Sequence, residues 1–265
     1  MKKILKHKHS STAKFEFCTC PKMSCNSSFL SFVLCIFLIL HSFAFADRLF
    51  HNCSGANLPS NTAYSNLISV NLDLNKTTPY TGFTIVTDET DQVMDGVYGL
   101  ALCRGDISLQ LCATCIGQAS IDSVKLCQNK TSAIVWYDHC LYKYTNQDFF
   151  GQIDSTNKFD LYSGAVAGNA TSFNQKTSDF LTILAQNASS NTPTHFATGV
   201  SGPVDGSTKL FGLAQCTWDL TSEDCYTCLK EIIGEIPSCC SGNLGARIFY
   251  GSCYVRYETF NFIGS

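Results

Sequence analysis

Three cysteines in "CRGDISLQLCATC", residues 103 to 115, stand at C-x8-C-x2-C. Thiols at this spacing can hold half a zinc site, exchange electrons as a CxxC dithiol, or anchor structural disulfides. Zinc is disfavoured because the segment offers a single CxxC, and the remaining cysteines are spread along the chain without a histidine pattern. A working dithiol is disfavoured by the third cysteine, Cys103, which stands ready to capture one of the pair. Disulfides are therefore the expectation, with neither metal nor cofactor.

That expectation requires an oxidising compartment. The chain has 265 residues, 16 of them cysteine. It opens with a basic segment carrying Lys2, Lys3, Lys6, Lys8, Lys14 and Lys22. An apolar run, "FLSFVLCIFLIL" (29–40), and the small-residue pattern Ala44-Phe45-Ala46 follow. This is the order of a secretory signal peptide, and residues 1–46 are assigned to one with an N-terminal prefix. The start at Met1 or Met23 stays open. The apolar run is too short to cross a bilayer, which takes about 20 helical residues. No second such run follows, so no membrane anchor is expected in the mature chain.

Cleavage after Ala46 removes four of the 16 cysteines, six of the 18 basic residues and one of the 21 acidic ones. Twelve cysteines remain, an even number, with a net charge near −8. That charge excludes nucleic acid as a partner, since phosphate binding needs a basic footprint. Asn52, Asn75, Asn129, Asn169 and Asn187 each open an N-x-[ST] glycosylation triplet, as befits an exported surface.

The opening motif recurs as "CTWDLTSEDCYTC" at 216–228. Cys103, Cys112, Cys115, Cys127 and Cys140 each have a partner 113 residues on, at Cys216, Cys225, Cys228, Cys240 and Cys253. A constant offset through five cysteines identifies a duplicated domain. The first copy is placed at 47–150, a Gly-, Ser- and Asn-bearing linker at 151–165, and the second copy at 166–265. In each copy two segments carry helical periodicity behind a Ser or Thr cap: 60–74 and 108–124, then 171–188 and 221–236. The stretches 83–88, 97–103, 132–145 and 246–260 alternate and are rich in β-branched and aromatic residues, as strands are. The fold class is α+β, each copy packing two helices on an antiparallel sheet in two layers, stapled by disulfides.

"YGLALC" and "FGLAQC" ahead of C-x8-C-x2-C, with "SCC" and "GARIFYGSCYVRYE" behind the second, resemble the ginkbilobin-homologous, or salt-stress/antifungal, domain of plants. Two such domains after a signal peptide resemble a plant cysteine-rich repeat secretory protein. Related tandems form the ectodomains of receptor-like kinases and plasmodesmata-located proteins, where a transmembrane helix follows. The resemblance implies an apoplastic location and the disulfides Cys53–Cys127, Cys103–Cys112, Cys115–Cys140, Cys216–Cys225 and Cys228–Cys253. The second copy departs from the pattern, having no counterpart of Cys53. Cys239 and Cys240 could form a vicinal bridge, stay reduced or pair with another chain; the bridge is the expectation.

The family's founding lectin holds mannose with an Asn after its first cysteine, an Arg six residues before its last and a Glu five residues after it. The first copy has Ser54, Ile134 and Thr145 at these places; the second keeps Arg247 and Glu258. These two are the candidate carbohydrate-binding residues, against a plain salt bridge as the alternative. No repeated His, Ser or acid arrangement supports an enzyme. The Arg104-Gly105-Asp106 tripeptide has no counterpart in the second copy and is read as chance. Two functions remain: a lectin-like stress or defence protein binding mannose or wall glycans, or a module docking on receptor ectodomains. For the second, Trp136, Tyr137, Tyr142 and Tyr144 offer a surface, unless they are core. Oligomeric state is left open.

Overall fold

The computed structural model describes residues 2–5, 47–88, 95–190 and 193–265. The apolar leader at 29–40 and Ala44-Phe45-Ala46 lie outside the described residues. In chain order the elements are β1 (Lys2–Leu5), β2 (Arg48–Asn57), α1 (Asn61–Thr81), β3 (Phe83–Asp88), β4 (Val97–Cys103), α2 (Leu109–Leu126), β5 (Lys130–Tyr137) and β6 (Cys140–Thr145). The second copy runs β7 (Phe159–Ser163), α3 (Ala170–Ser189), β8 (Phe196–Val200), β9 (Phe211–Cys216), α4 (Ser222–Gly234), the short α5 (Ile236–Cys239), β10 (Ala246–Phe249) and β11 (Cys253–Glu258).

The first sheet is ordered β2-β5-β6-β4-β3, and the second β1-β7-β10-β11-β9-β8. The last five strands of the second repeat the first sheet strand for strand, all antiparallel; β1 pairs with β7 in parallel. Each long helix begins where a side chain accepts a hydrogen bond from the first turn: Ser60 from Ala63, Ser108 from Leu111, Asn169 from Ser172 and Thr221 from Asp224. Such caps satisfy amides that the helix itself leaves unpaired. Glu223 and Asp224 sit in the first turn of α4, where their negative charge meets the positive end of the helix dipole.

Strand alternation sorts the cores. On β5, Ala133, Val135 and Tyr137 face the helices with Cys115, Ile116 and Ala119 of α2 and Leu67, Val70 and Leu74 of α1. On β10, Ala246 and Ile248 do the same against α3 and α4. Gly99 on β4 and Gly212 on β9 leave bare backbone under Val70 and Leu74, and under Phe180 and Leu184; any Cβ there would collide with them.

The opposite faces of the two sheets are not left to water. Leu100, Leu102, Ile134, Trp136 and Leu141 of the first pack with Phe159, Leu161 and Phe249 of the second. Phe159 lies parallel to Phe249 at 4.7 Å and meets Trp136 edge-on at 5.1 Å. The expected two layers per copy thus join as helices, sheet, sheet, helices. Two corrections follow. Residues 159–163, read as linker, form β7, whose alternating Phe159, Leu161 and Ser163 are buried. Trp136, Tyr137, Tyr142 and Tyr144 are all at most 3% exposed, so the aromatic run is core and offers no docking surface.

Among the described residues, six disulfides hold this frame: Cys53–Cys127, Cys103–Cys112, Cys115–Cys140, Cys216–Cys225, Cys228–Cys253 and Cys239–Cys240. Each CxxC cysteine is thus bonded to a strand cysteine rather than to its neighbour. Register explains the departure in the second copy. Cys53 lies opposite Ala133, and the residue opposite Ala246, its equivalent 113 residues on, is Tyr162. With a tyrosine where the partner would stand, Cys240 bonds the adjacent Cys239. Among the described residues, no helix is long and apolar enough to cross a membrane.

Candidate functional site

Arg247 on β10 and Arg256 on β11 lie directly opposite one another, on the face turned toward the first sheet. Two cations in facing positions repel, so each needs an anion. Asp138, from the turn between β5 and β6 of the first copy, supplies one. Its Oδ1 accepts from Arg247 Nη1 at 2.6 Å and from Arg256 Nη1 at 3.2 Å. Glu258 supplies the other, its Oε1 accepting from Arg256 Nε at 3.3 Å and from Arg247 Nε at 3.5 Å. Arg247 and Glu258 are therefore neighbours, but the shorter bond of Arg247 runs to the other copy. Their side chains are 13% and 4% exposed, which leaves little surface for a sugar.

A third cation closes the cluster. Arg104 Nη1 stands 3.9 Å from Asp138, and its Nε donates to Asp106 at 2.6 Å. The Arg-Gly-Asp tripeptide is thus an internal ion pair rather than an exposed loop. Phe262 lies 3.9 Å over the Arg256 guanidinium. The Gly264 amide donates to Asp106 at 2.7 Å, and the Ser265 carbonyl accepts from Arg104 at 2.6 Å. Burial alone would raise the Asp138 carboxyl, but Arg247, then Arg256 and Arg104, hold it below the ordinary carboxylate range. Burial, aided by Arg247, pushes Arg256 down to about 10, still charged at neutral pH.

The first copy repeats this arrangement with different residues. Lys143, the equivalent of Arg256, lies over the Phe149 ring at 4.4 Å, as Arg256 lies under Phe262. Asp219 accepts from the Gly151 amide at 2.8 Å, as Asp106 does from Gly264. All of these pairs are related by 113 residues, so each copy's terminal segment docks on the other copy. The counter-ion of Lys143 is Asp154 at 2.6 Å, whose carboxylate fills the space left by Gly251, the equivalent of Asp138.

Where the second copy has Arg247 and Glu258, the first has Ile134 and Thr145. The shorter Thr145 leaves an open cleft of about 290 Å³ lined by Ser132, Lys143, Thr145, Gln147, Asp154, Thr156 and Asn157, with Phe149 as one wall. Asn157 donates through its side chain to Asp154 at 2.8 Å. The cleft therefore presents hydroxyls and amides beside one aromatic ring, with the paired Lys143 and Asp154 largely buried.

The described sequons differ in setting. Asn52 and Asn75 spend their side-chain amides on Asn157 and Ser120. Asn129, Asn169 and Asn187 are exposed.

Residues 52–147 and 162–260 each match the family described as salt stress response/antifungal. The chain belongs to this family. It is similar to an antimicrobial ginkbilobin-2-like protein of Castanea crenata, 44% identical over 88% of this chain and 96% of that one. It is also similar to the cysteine-rich repeat secretory protein 38 of Arabidopsis thaliana, 42% identical over 81% of this chain and 85% of that one. In three dimensions it matches the tandem DUF26 ectodomain of the receptor-like protein PDLP5 of Arabidopsis thaliana with a TM-score of 0.67 and 27% identity, over 80% of this chain and 99% of the other. The corresponding ectodomain of PDLP8 gives 0.69 at 23% identity, over 80% of this chain and 97% of the other, a likeness of fold. Family membership and six disulfides together make this an extracellular protein.

Sequence reasoning missed Asp138, Arg104 and Arg256. One signal was present. On β11, Arg256 and Glu258 share a face, so that face carried opposite charges needing partners from elsewhere.

Proposed function

We propose that this family member is a non-enzymatic recognition protein of plant stress or defence, and that it binds hydroxyl-rich glycans of the mannose or cell-wall type in the cleft of the first copy. The observation that supports this reading is the cleft itself. It is open and polar, and it combines donors, acceptors and an aromatic wall, the mixture that divides the hydroxyls of a sugar and receives its apolar face. Arg247 and Glu258 serve the joint between the copies. The relative from Castanea crenata, named antimicrobial, agrees with a defence role.

A glycan array tests this with oxidised protein, a Gln147→Ala/Thr156→Ala variant and an Arg247→Ala variant whose fold is checked by circular dichroism. Signal on mannose-type or wall glycans should fall in the cleft variant and persist in Arg247→Ala. The likeness to receptor-like ectodomains carries a second reading, docking on such an ectodomain. A blank array with capture of that partner would replace the first reading with the second.

A further inference from the structure

We propose that Asn187 carries an N-linked glycan whose first sugars lie in the groove between α3 and β8, covering apolar surface that the second copy otherwise exposes. The groove, about 570 Å³, is walled by Phe180, Ile183 and Leu184 on the helix and by Val200 and Pro203 on the strand side, with Asn187 on its rim. Ile183 and Val200 are 56% and 53% exposed. β8 is the outermost strand of its sheet, with unpaired backbone groups that invite another strand. An apolar groove beside an open edge is an aggregation liability unless something covers it.

The duplication provides an internal control. Val70 and Leu74 over Gly99 match Phe180 and Leu184 over Gly212, which sets the helix correspondence. Ile183 and Asn187 then match Asp73 and Thr77, and Val200 matches Thr87 across the strands; all three first-copy residues are exposed. The first copy is polar at this groove, and its helix sequon, Asn75-Lys76-Thr77, has its Asn engaged with Ser120; the second is apolar and carries Asn187 on the rim. A sugar attached at the rim supplies ring faces of C–H groups to the apolar wall and hydroxyls to water. Asn187 is exposed on α3, whereas Asn75 spends its amide on Ser120.

The test uses the full-length gene product, secreted from a glycosylating host. Glycopeptide mass spectrometry reads occupancy at Asn187. The folded protein is then treated with a glycosidase that removes the whole glycan, and with one that leaves a single N-acetylglucosamine. Binding of an apolar dye and association state are measured after each treatment. Complete removal should raise dye binding several-fold and promote association, and retention of one sugar should suppress most of that rise. Asn187→Gln should behave like complete removal, whereas Asn169→Gln should not. Adding Ile183→Asp and Val200→Thr, the first-copy residues, to Asn187→Gln should abolish the rise. If Asn187→Gln fails to be secreted, the enzymatic arm still decides. An unmodified Asn187, unchanged dye binding on removal, or a rise that survives Ile183→Asp/Val200→Thr would overturn the proposal.

Discussion

Replacing Asp138 by Asn is expected to destabilise the protein by about 3 kcal/mol, the lower end of what breaking a buried ion pair costs, since the carboxylate keeps some access to water. The substitution preserves shape and removes charge. Arg247 and Arg256 would then face each other across β10 and β11 with Glu258 alone between them. Urea denaturation measures the loss. An Arg247→Met variant should cost less, because it removes one of the two opposed cations. The double variant should cost less than the sum of the singles, because the two side chains share one contact between copies. Acid should act in the same direction. A carboxylate held below its ordinary value in the fold stabilises above that value, and the contribution is lost as pH falls through the depressed one. Asp138, Asp154 and Asp122 are all held low. His139 is also held low, by burial and then Arg104, so protonating it opposes the fold too. Stability should therefore be level above about 6.5, the ordinary His value, decline gently below it as His139 resists protonation, and fall more steeply below about 4, the ordinary Asp range, with a shallower fall in Asp138→Asn.

Removing Cys53 and Cys127 together, each as Ser, is expected to cost about 4 kcal/mol. Their bridge spans 74 residues, against 25 for Cys115–Cys140 and 9 for Cys103–Cys112. A longer closed loop removes more freedom from the unfolded chain, so the three bridges should rank in that order, the shortest at about 2.5 kcal/mol. The Cys53–Cys127 bridge also ties the edge strand β2 to the end of α2 in the first copy. The second copy has Tyr162 in the matching register and folds without such a bridge. The damage should therefore concentrate in the first copy, which hydrogen exchange at β2 and β5 would show as lost protection against little change at β7 and β10.

The cysteine ladder was legible because a fixed offset repeats it, and the long helices because apolar residues recur behind a cap. The hairpins at 132–145 and 246–260 were read as continuous, since alternation does not reveal the turns at Asp138-His139 and at Tyr250-Gly251-Ser252. β7 was hidden because five residues among Gly, Ser and Asn carry too few alternations to stand out from a linker. The site was the least legible part. Arg247 and Glu258 can be matched by spacing alone, but the partner that decides the role of Arg247 comes from the other copy, 109 residues away. Sheet packing brings Asp138 there, and nothing local to "YDHC" announces it. The aromatic run misled for a related reason: a sheet covered on both faces buries Trp136, Tyr137, Tyr142 and Tyr144 alike, whichever way each points.

A titration of ¹⁵N-labelled, oxidised protein with a mannose-type oligosaccharide, followed by amide NMR, reads which copy holds the sugar. Shifts should gather at Gln147, Thr156 and Asn157 around the first-copy cleft, while Arg247 and Glu258 stay where they are. Shifts at Arg247 and Glu258 with a silent cleft would contradict that placement, returning the sugar to the second copy and requiring the clamp at Asp138 to open.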